Sequence, residues 1–326
     1  MKKTIIGFFS AACSAVILTG CCAFPEAMNT RGPHDEMVDE NNRPFVQQHI
    51  KDYNARKAFV QPVIVKPNPT QVELLLSNRF LPQFTAECKR DILFAIGHEL
   101  NNRLATRKDF RVINTEVENV DPKANVAEVY YTIKNMTANS EDRSYSLSDG
   151  RYVQNFCWNF SIELEVSLVK NGKVAFTIGA ANAGSISNAK SLRILPLDNM
   201  KALIPAAIKD VVEQYDVRFG PPAYVVELIG NGKFAKLNIG AAYGFTRGRT
   251  VEFFHHSLKR VLDPATGEEK TQYVQVSLGT GTIGDSFCLG GCKVPEDAEY
   301  SWIYIPWNAK PQSNKVHVWT SARLIR

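Results

Sequence analysis

An α+β chain in two folded parts is predicted: a mixed α/β domain over residues 55–220 and a small all-β domain, barrel or sandwich, over 221–326. Three observations carry this. Cys88, Ile92, Ile96, Leu100 and Leu104 recur every fourth residue, the stripe of an amphipathic helix. Phe160, Ile162, Leu164, Val166 and Leu168 alternate with Ser161, Glu163, Glu165 and Ser167, the period of a half-buried strand. After Pro221 and Pro222 no helical period returns, while short β-rich runs and Gly-rich joints follow one another.

Taken in order, residues 21–54 hold Pro25, Pro33 and Pro44 among many Asn, Asp and Glu without an apolar period, so a flexible tether is expected, with a root-mean-square reach of ~30 Å. Ala58 to Val65 is β-branched and broken by Pro62, which suits an edge strand. The helix covers Thr85 to Leu104. Phe110 to Ile113 and Val126 to Lys134 are the next strands. The alternating run from Asn155 to Val169 meets Asn171-Gly172, a type I′ turn signal, and returns through Val174 to Ile178. Asp198 can cap a helix whose face is Met200, Leu203, Ile204, Ala207, Ile208, Val211 and Tyr215, with Pro205 either kinking it or marking its start. In the last part, Ala223 to Leu228 and Phe234 to Ile239 flank Asn231-Gly232, and Thr250 to Phe254, Tyr273 to Leu278, Ser301 to Ile305 and Val316 to Ser321 are further strands.

The N-terminus speaks about the compartment. Lys2 and Lys3 precede an apolar run from Ile5 to Leu18, shorter than the ~20 residues that cross a bilayer, so residues 1–20 are expected to be an export signal. Leu18-Thr19-Gly20-Cys21 resembles the bacterial lipobox, which makes Cys21 the expected lipidation site. The expected partner is then the membrane, through the N-terminal lipid. The residue after it is Cys22 and not the Asp that marks inner-membrane retention, which points to the outer membrane, facing the periplasm.

The 38 Lys and Arg against 33 Asp and Glu leave a net charge of only +5, with no basic run, so no nucleic-acid partner is expected. Of the seven cysteines, Cys288 and Cys292 bracket Leu-Gly-Gly and are the candidate local disulfide. Cys88 and Cys157 either pair or stay as buried thiols.

Catalytic patterns are present only in fragments. His98-Glu99 has Asn102 where a zinc-binding helix needs its second His. Ser187 and Lys190 have the spacing of a Ser-x-x-Lys nucleophile, but Ser148-Asp-Gly150 precedes them and no Lys-Thr-Gly follows. His255 and His256 are neighbours on one strand and so point to opposite faces. Glu163 and Glu165 share a face, as a carboxylate pair or as a solvated sheet surface. Gly279-Thr-Gly-Thr-Ile-Gly284 has the letters of a dinucleotide loop with no helix after it. No enzyme, metal site or cofactor is therefore expected. Trp302, Tyr304, Trp307 and Trp319 crowd one short stretch; they fill a small β core or form the contact with a partner.

The order lipobox, tether, edge strand, long helix, Phe110-Arg-Val-Ile113, long hairpin and helix resembles the curli-secretion and penicillin-binding-protein-activator lipoproteins, whose α/β sandwich is similar to the amino-terminal domain of TolB. Gly232-Lys233, Asn238-Ile-Gly240 and Gly244-Phe-Thr-Arg-Gly248 resemble the small β domain of flagellar-assembly proteins. The resemblance implies a non-catalytic envelope lipoprotein that binds a protein partner within a wall-synthesis or secretion machine. A structural lipoprotein that binds peptidoglycan is the alternative, and an envelope hydrolase the third reading.

Overall fold

The computed structural model describes residues 36–37, 48–76, 84–115, 117–118, 125–189, 195–262, 267, 269–284, 296–305 and 316–326. In chain order the elements are β1 (Glu36–Met37), α1 (Gln48–Ala58), β2 (Gln61–Pro67), α2 (Pro69–Leu76), α3 (Ala86–Ala105), β3 (Phe110–Val112), β4 (Ala127–Asp142), β5 (Tyr145–Ser146), β6 (Tyr152–Val153), β7 (Phe156–Lys170) and β8 (Lys173–Ala189). Then follow α4 (Leu197–Lys201), α5 (Ile204–Phe219), β9 (Ala223–Ile229), β10 (Phe234–Leu237), β11 (Thr250–Leu262), β12 (Glu269–Ile283), β13 (Ser301–Tyr304) and β14 (Ser321–Ile325). The described residues form two compact units, one within Val60–Arg218 and one, from both ends of the chain, up to Phe59 and from Phe219 onward.

The inner unit is a two-layer α/β sandwich. Its sheet runs β3-β2-β4-β7-β8, with β2 parallel to β3 and β4 and the remaining pairs antiparallel. Thr85 opens α3 by accepting from the Cys88 N–H at 3.2 Å, satisfying one of the donors a helix start leaves over. Ile92, Ile96, Leu100 and Leu104 of α3 and Ile204, Ala207, Ile208 and Val211 of α5 are buried in one core with Phe160, Ile162, Leu164 and Val166. The other sheet face is polar. Thr137 meets Ser161 at 2.6 Å, Ser167 meets Thr177 at 2.8 Å, and Glu165 pairs with Lys134 at 3.1 Å, so Glu163 and Glu165 belong to a solvated surface. Asn171 and Gly172 have φ of 52° and 70°, the paired left-handed conformation that a type I′ turn requires.

At Gly97 α3 approaches the sheet closely, because a Cβ there would stand 2.7 Å from the Tyr131 hydroxyl. Gly97→Ala should therefore destabilise this unit by ~1–3 kcal/mol through overpacking. Tyr131→Phe removes the atom in the way, so the double variant should recover part of the loss in a urea titration. Equal losses with and without the hydroxyl would refute this account.

The outer unit is a closed six-stranded barrel, β9-β10-β13-β12-β11-β14, in which β14 returns to β9 through Ser321↔Tyr224 and Ala322↔Ala223. Val225, Ala235, Leu237, Val251, Phe253, Ile303 and Ala322 are completely buried in it. β1 pairs with β9 through Glu36↔Leu228 and Met37↔Glu227.

Four expectations need correction. Residues 21–54 are not a tether throughout, since they include β1 and most of α1. Helix α1 belongs to the barrel unit: Ile50 and Tyr53 are buried, and the Lys57 ammonium donates to the Asn238 carbonyl at 2.5 Å and pairs with Glu299 at 3.4 Å. Strand β2 is not an edge but lies between β3 and β4; Pro62 is tolerated because it falls at the strand's start. Asp198 does not cap the long helix, which begins at Ile204 and places Pro205 in its first turn, where a missing N–H costs nothing. The last strand starts at Ser321, because Trp319 stands in a turn with φ of 75°.

Candidate functional site

Pleating of β10 and β13 puts alternate residues inside and outside the barrel. Ala235, Leu237 and Ile303 are inside; Lys236 and Trp302, in direct register, are half-buried on the outer wall. The Lys236 ammonium lies 4.5 Å from the centre of the Tyr300 ring and 5.6 Å from that of Trp302, with the Glu227 carboxylate 3.9 Å away on β9. Attraction of a cation to aromatic faces orders this group, and a partner that desolvates it would strengthen the attraction. Tyr300 is 43% exposed, so the group is reachable from solvent.

Of the four aromatic residues expected to mark a contact, the structure places three. Tyr304 shares the outer wall with Trp302, its ring 5.8 Å from that of its register partner Phe234. Trp319 is elsewhere, its ring stacked on that of Tyr224 at 5.1 Å and its backbone N–H donating to the Val225 carbonyl at 2.8 Å. Strands β10 and β9, or β12 and β11, separate β13 from β14, so Trp302 and Trp319 are not on neighbouring strands. Trp307 lies outside the described residues, as do Cys21, Cys22, Cys288, Cys292 and Lys190. Lys236, Glu227 and Tyr300 were not foreseen; the one local signal was the alternation of Phe234-Ala-Lys-Leu237.

A second polar group is internal to the sandwich. Arg107 donates from Nε and one terminal nitrogen to both oxygens of Asp109 at 2.8 Å, and from the other to Asp216 at 2.5 Å. All three side chains are at most 8% exposed. The guanidinium also lies over the rings of Phe110 and Tyr215, at 5.9 and 5.4 Å. Burial opposes its charge, but hydrogen bonding to Asp109 and the fields of both carboxylates outweigh this and raise its pKa. Burial also raises the Tyr215 hydroxyl, ahead of the nearby Asp109 charge. This clasp ties the end of α3, the start of β3 and α5 together. Beside it is an apolar cavity of about 30 Å³, lined among others by Leu104, Phe110, Val211 and Tyr215.

The catalytic fragments stay apart. His98 is exposed, 3.1 Å from Asn102, and stacks on Phe94. His256 contacts the edge of the Phe254 ring while His255 is exposed; burial first, and then the neighbouring His255, lower the His256 pKa. Ser187 is exposed near the end of β8. Gly279 to Ile283 lies within β12. Cys88 and Cys157 are both free thiols. Among the described residues no group of three or more His, Cys, Asp or Glu could hold a metal ion, and no helix is long and apolar enough to cross a membrane.

No family model matches the chain, and no curated protein matches it. Among solved structures, a minor lipoprotein from Acinetobacter baumannii is similar at 10% identity, covering 47% of this chain and 89% of its own, with a TM-score of 0.19. A likeness that slight carries no argument about fold or function.

Proposed function

We propose that the chain is a lipid-anchored, non-catalytic module of the bacterial envelope, at the outer membrane and facing the periplasm, that binds a protein partner through the barrel wall. The observation that carries the binding half is the Tyr300–Lys236–Trp302 group, since Trp and Tyr are among the residue types that dominate binding energy at interfaces. The anchor half rests on Leu18-Thr19-Gly20-Cys21. Between Cys21 and the first barrel-paired residue, Glu36, the chain can span at most ~50 Å, so an anchored barrel works close to the bilayer.

Cross-linking in whole envelopes, followed by purification of the chain, tests both halves. The expected result is a discrete cross-linked protein that is lost with Trp302→Ala, at a cost of ~2 kcal/mol in affinity. Cys21→Ala should release the chain from membranes. Sedimentation of the purified chain with bare peptidoglycan, insensitive to Trp302→Ala, would replace this reading with the wall-binding one.

A further inference from the structure

The six-stranded barrel closes without β1. β14 meets β9 through Ser321↔Tyr224 and Ala322↔Ala223, and the seam continues to Val225, which donates to the Thr320 carbonyl at 2.9 Å and accepts from the Trp319 backbone N–H at 2.8 Å. There the chain turns away, with Trp319 at a φ of 75°. The edge of β9 beyond that point, at Glu227 and Leu228, is taken by β1. β1 is thus a seventh strand outside the closed ring, and among the described residues Glu36↔Leu228 and Met37↔Glu227 are its only strand pairing.

Helix α1, the next element of this unit, is held independently of β1. Ile50 and Tyr53 are buried, Lys57 donates to the Asn238 carbonyl and pairs with Glu299, and Asn54 accepts from the Tyr224 hydroxyl. Detaching β1 therefore leaves both the ring and α1 in place. Its cost is two residue pairs at a sheet edge, and local opening of that kind takes far less free energy than global unfolding.

We propose that β1 is a releasable latch that sets how far the anchored barrel can stand from the bilayer. This consequence rests on the lipid-anchor reading. With β1 paired, the chain between Cys21 and the barrel ends at Glu36 and spans at most ~50 Å. With β1 released, it ends at Gln48, where α1 begins, and spans at most ~90 Å. β1 is the first described element after Cys21, so a pull on the anchor loads it before any other. Met37 is also in register with Glu227, whose carboxylate faces Lys236 of the Tyr300–Lys236–Trp302 group, so latch and contact meet at one residue of β9. A partner standing farther off than the shorter span is reached only after release.

Hydrogen exchange on the full chain reads the latch directly. Of two adjacent strand residues one turns its N–H toward the neighbouring strand. That amide, of Glu36 or of Met37, should exchange ~100-fold faster than the amide of Val225, while the α1 amides stay as protected as the barrel. Glu36→Pro with Met37→Pro removes the donor whichever residue carries it, and should leave exchange in α1 and the ring as in the parent. For the reach, the lipidated full chain is placed in vesicles of phosphatidylethanolamine and phosphatidylglycerol that carry acceptor-labelled lipid, with a donor dye coupled at the exposed Arg326. The parent should give a short and a long donor lifetime, and the double variant the long one alone. A single lifetime common to both chains, or Glu36 and Met37 amides that exchange as slowly as Val225, overturns the proposal. A parent that leaves the vesicles overturns the anchor reading, and the reach with it, whatever the exchange result.

Discussion

Arg107→Ala should destabilise the sandwich unit by about 3–5 kcal/mol, the cost of removing one partner from a buried ion pair. The substitution leaves Asp109 and Asp216 facing each other with their shared cation gone, and both are at most 8% exposed. It also strips the faces of Phe110 and Tyr215 of their packing partner. Amide hydrogen exchange separates the two units, so faster opening is expected within Val60–Arg218 and not in the barrel strands. The cluster as a whole is a weak contributor, because desolvating three charges offsets much of their attraction. Arg107→Met with Asp109→Leu and Asp216→Leu should therefore recover most of what Arg107→Ala loses. A loss below ~1 kcal/mol for the single variant would mean that water already reaches the carboxylates.

The clasp also shows why part of this protein was hidden in its sequence. Arg107 and Asp216 are more than a hundred residues apart, and no local pattern links them. Elements whose stability is locally encoded were legible. Helix α3 carries both a capping Thr85 and an unbroken apolar stripe, and the β7–β8 hairpin carries strict alternation and its turn residues. Helix α1, Gln-His-Ile-Lys-Asp-Tyr-Asn-Ala-Arg-Lys-Ala, has only Ile50 and Tyr53 as large apolar residues, so periodicity is nearly silent there. Its helicity comes from docking, the usual source of helix stability in proteins. The length of β4 was missed for another reason: a register shift between Ile133 and Asn135 breaks the alternation on which strand reading depends. At the candidate site the aromatic residues, Trp302 among them, are legible in the sequence, but Lys236 and Glu227 join it only through cross-strand register, which composition cannot express.

Tyr53→Ala should cost the barrel unit ~3 kcal/mol, as loss of a buried aromatic ring does in a core. Tyr53 is 7% exposed, and its hydroxyl bonds the side chain of Ser321, the first residue of β14, at the β14–β9 seam that closes the barrel. Asn54 accepts from the Tyr224 hydroxyl at 3.3 Å, on the β9 side of the same seam, so α1 fastens both strands there. Tyr53→Phe keeps the ring and removes one hydrogen bond, for a smaller loss of ~1 kcal/mol. Burial is the largest influence on the hydroxyl and raises its pKa, with the Ser321 hydrogen bond acting against it. The folded protein then holds this proton more tightly than the unfolded chain, so the contribution is complete below about pH 10 and is lost as pH rises through the folded value. Alkaline titration followed by hydrogen exchange should show α1 and β14 opening together in the parent, and at higher pH in Tyr53→Phe. A tether has no such dependence: if Tyr53→Ala leaves the stability of the barrel unchanged, α1 contributes nothing to closing it.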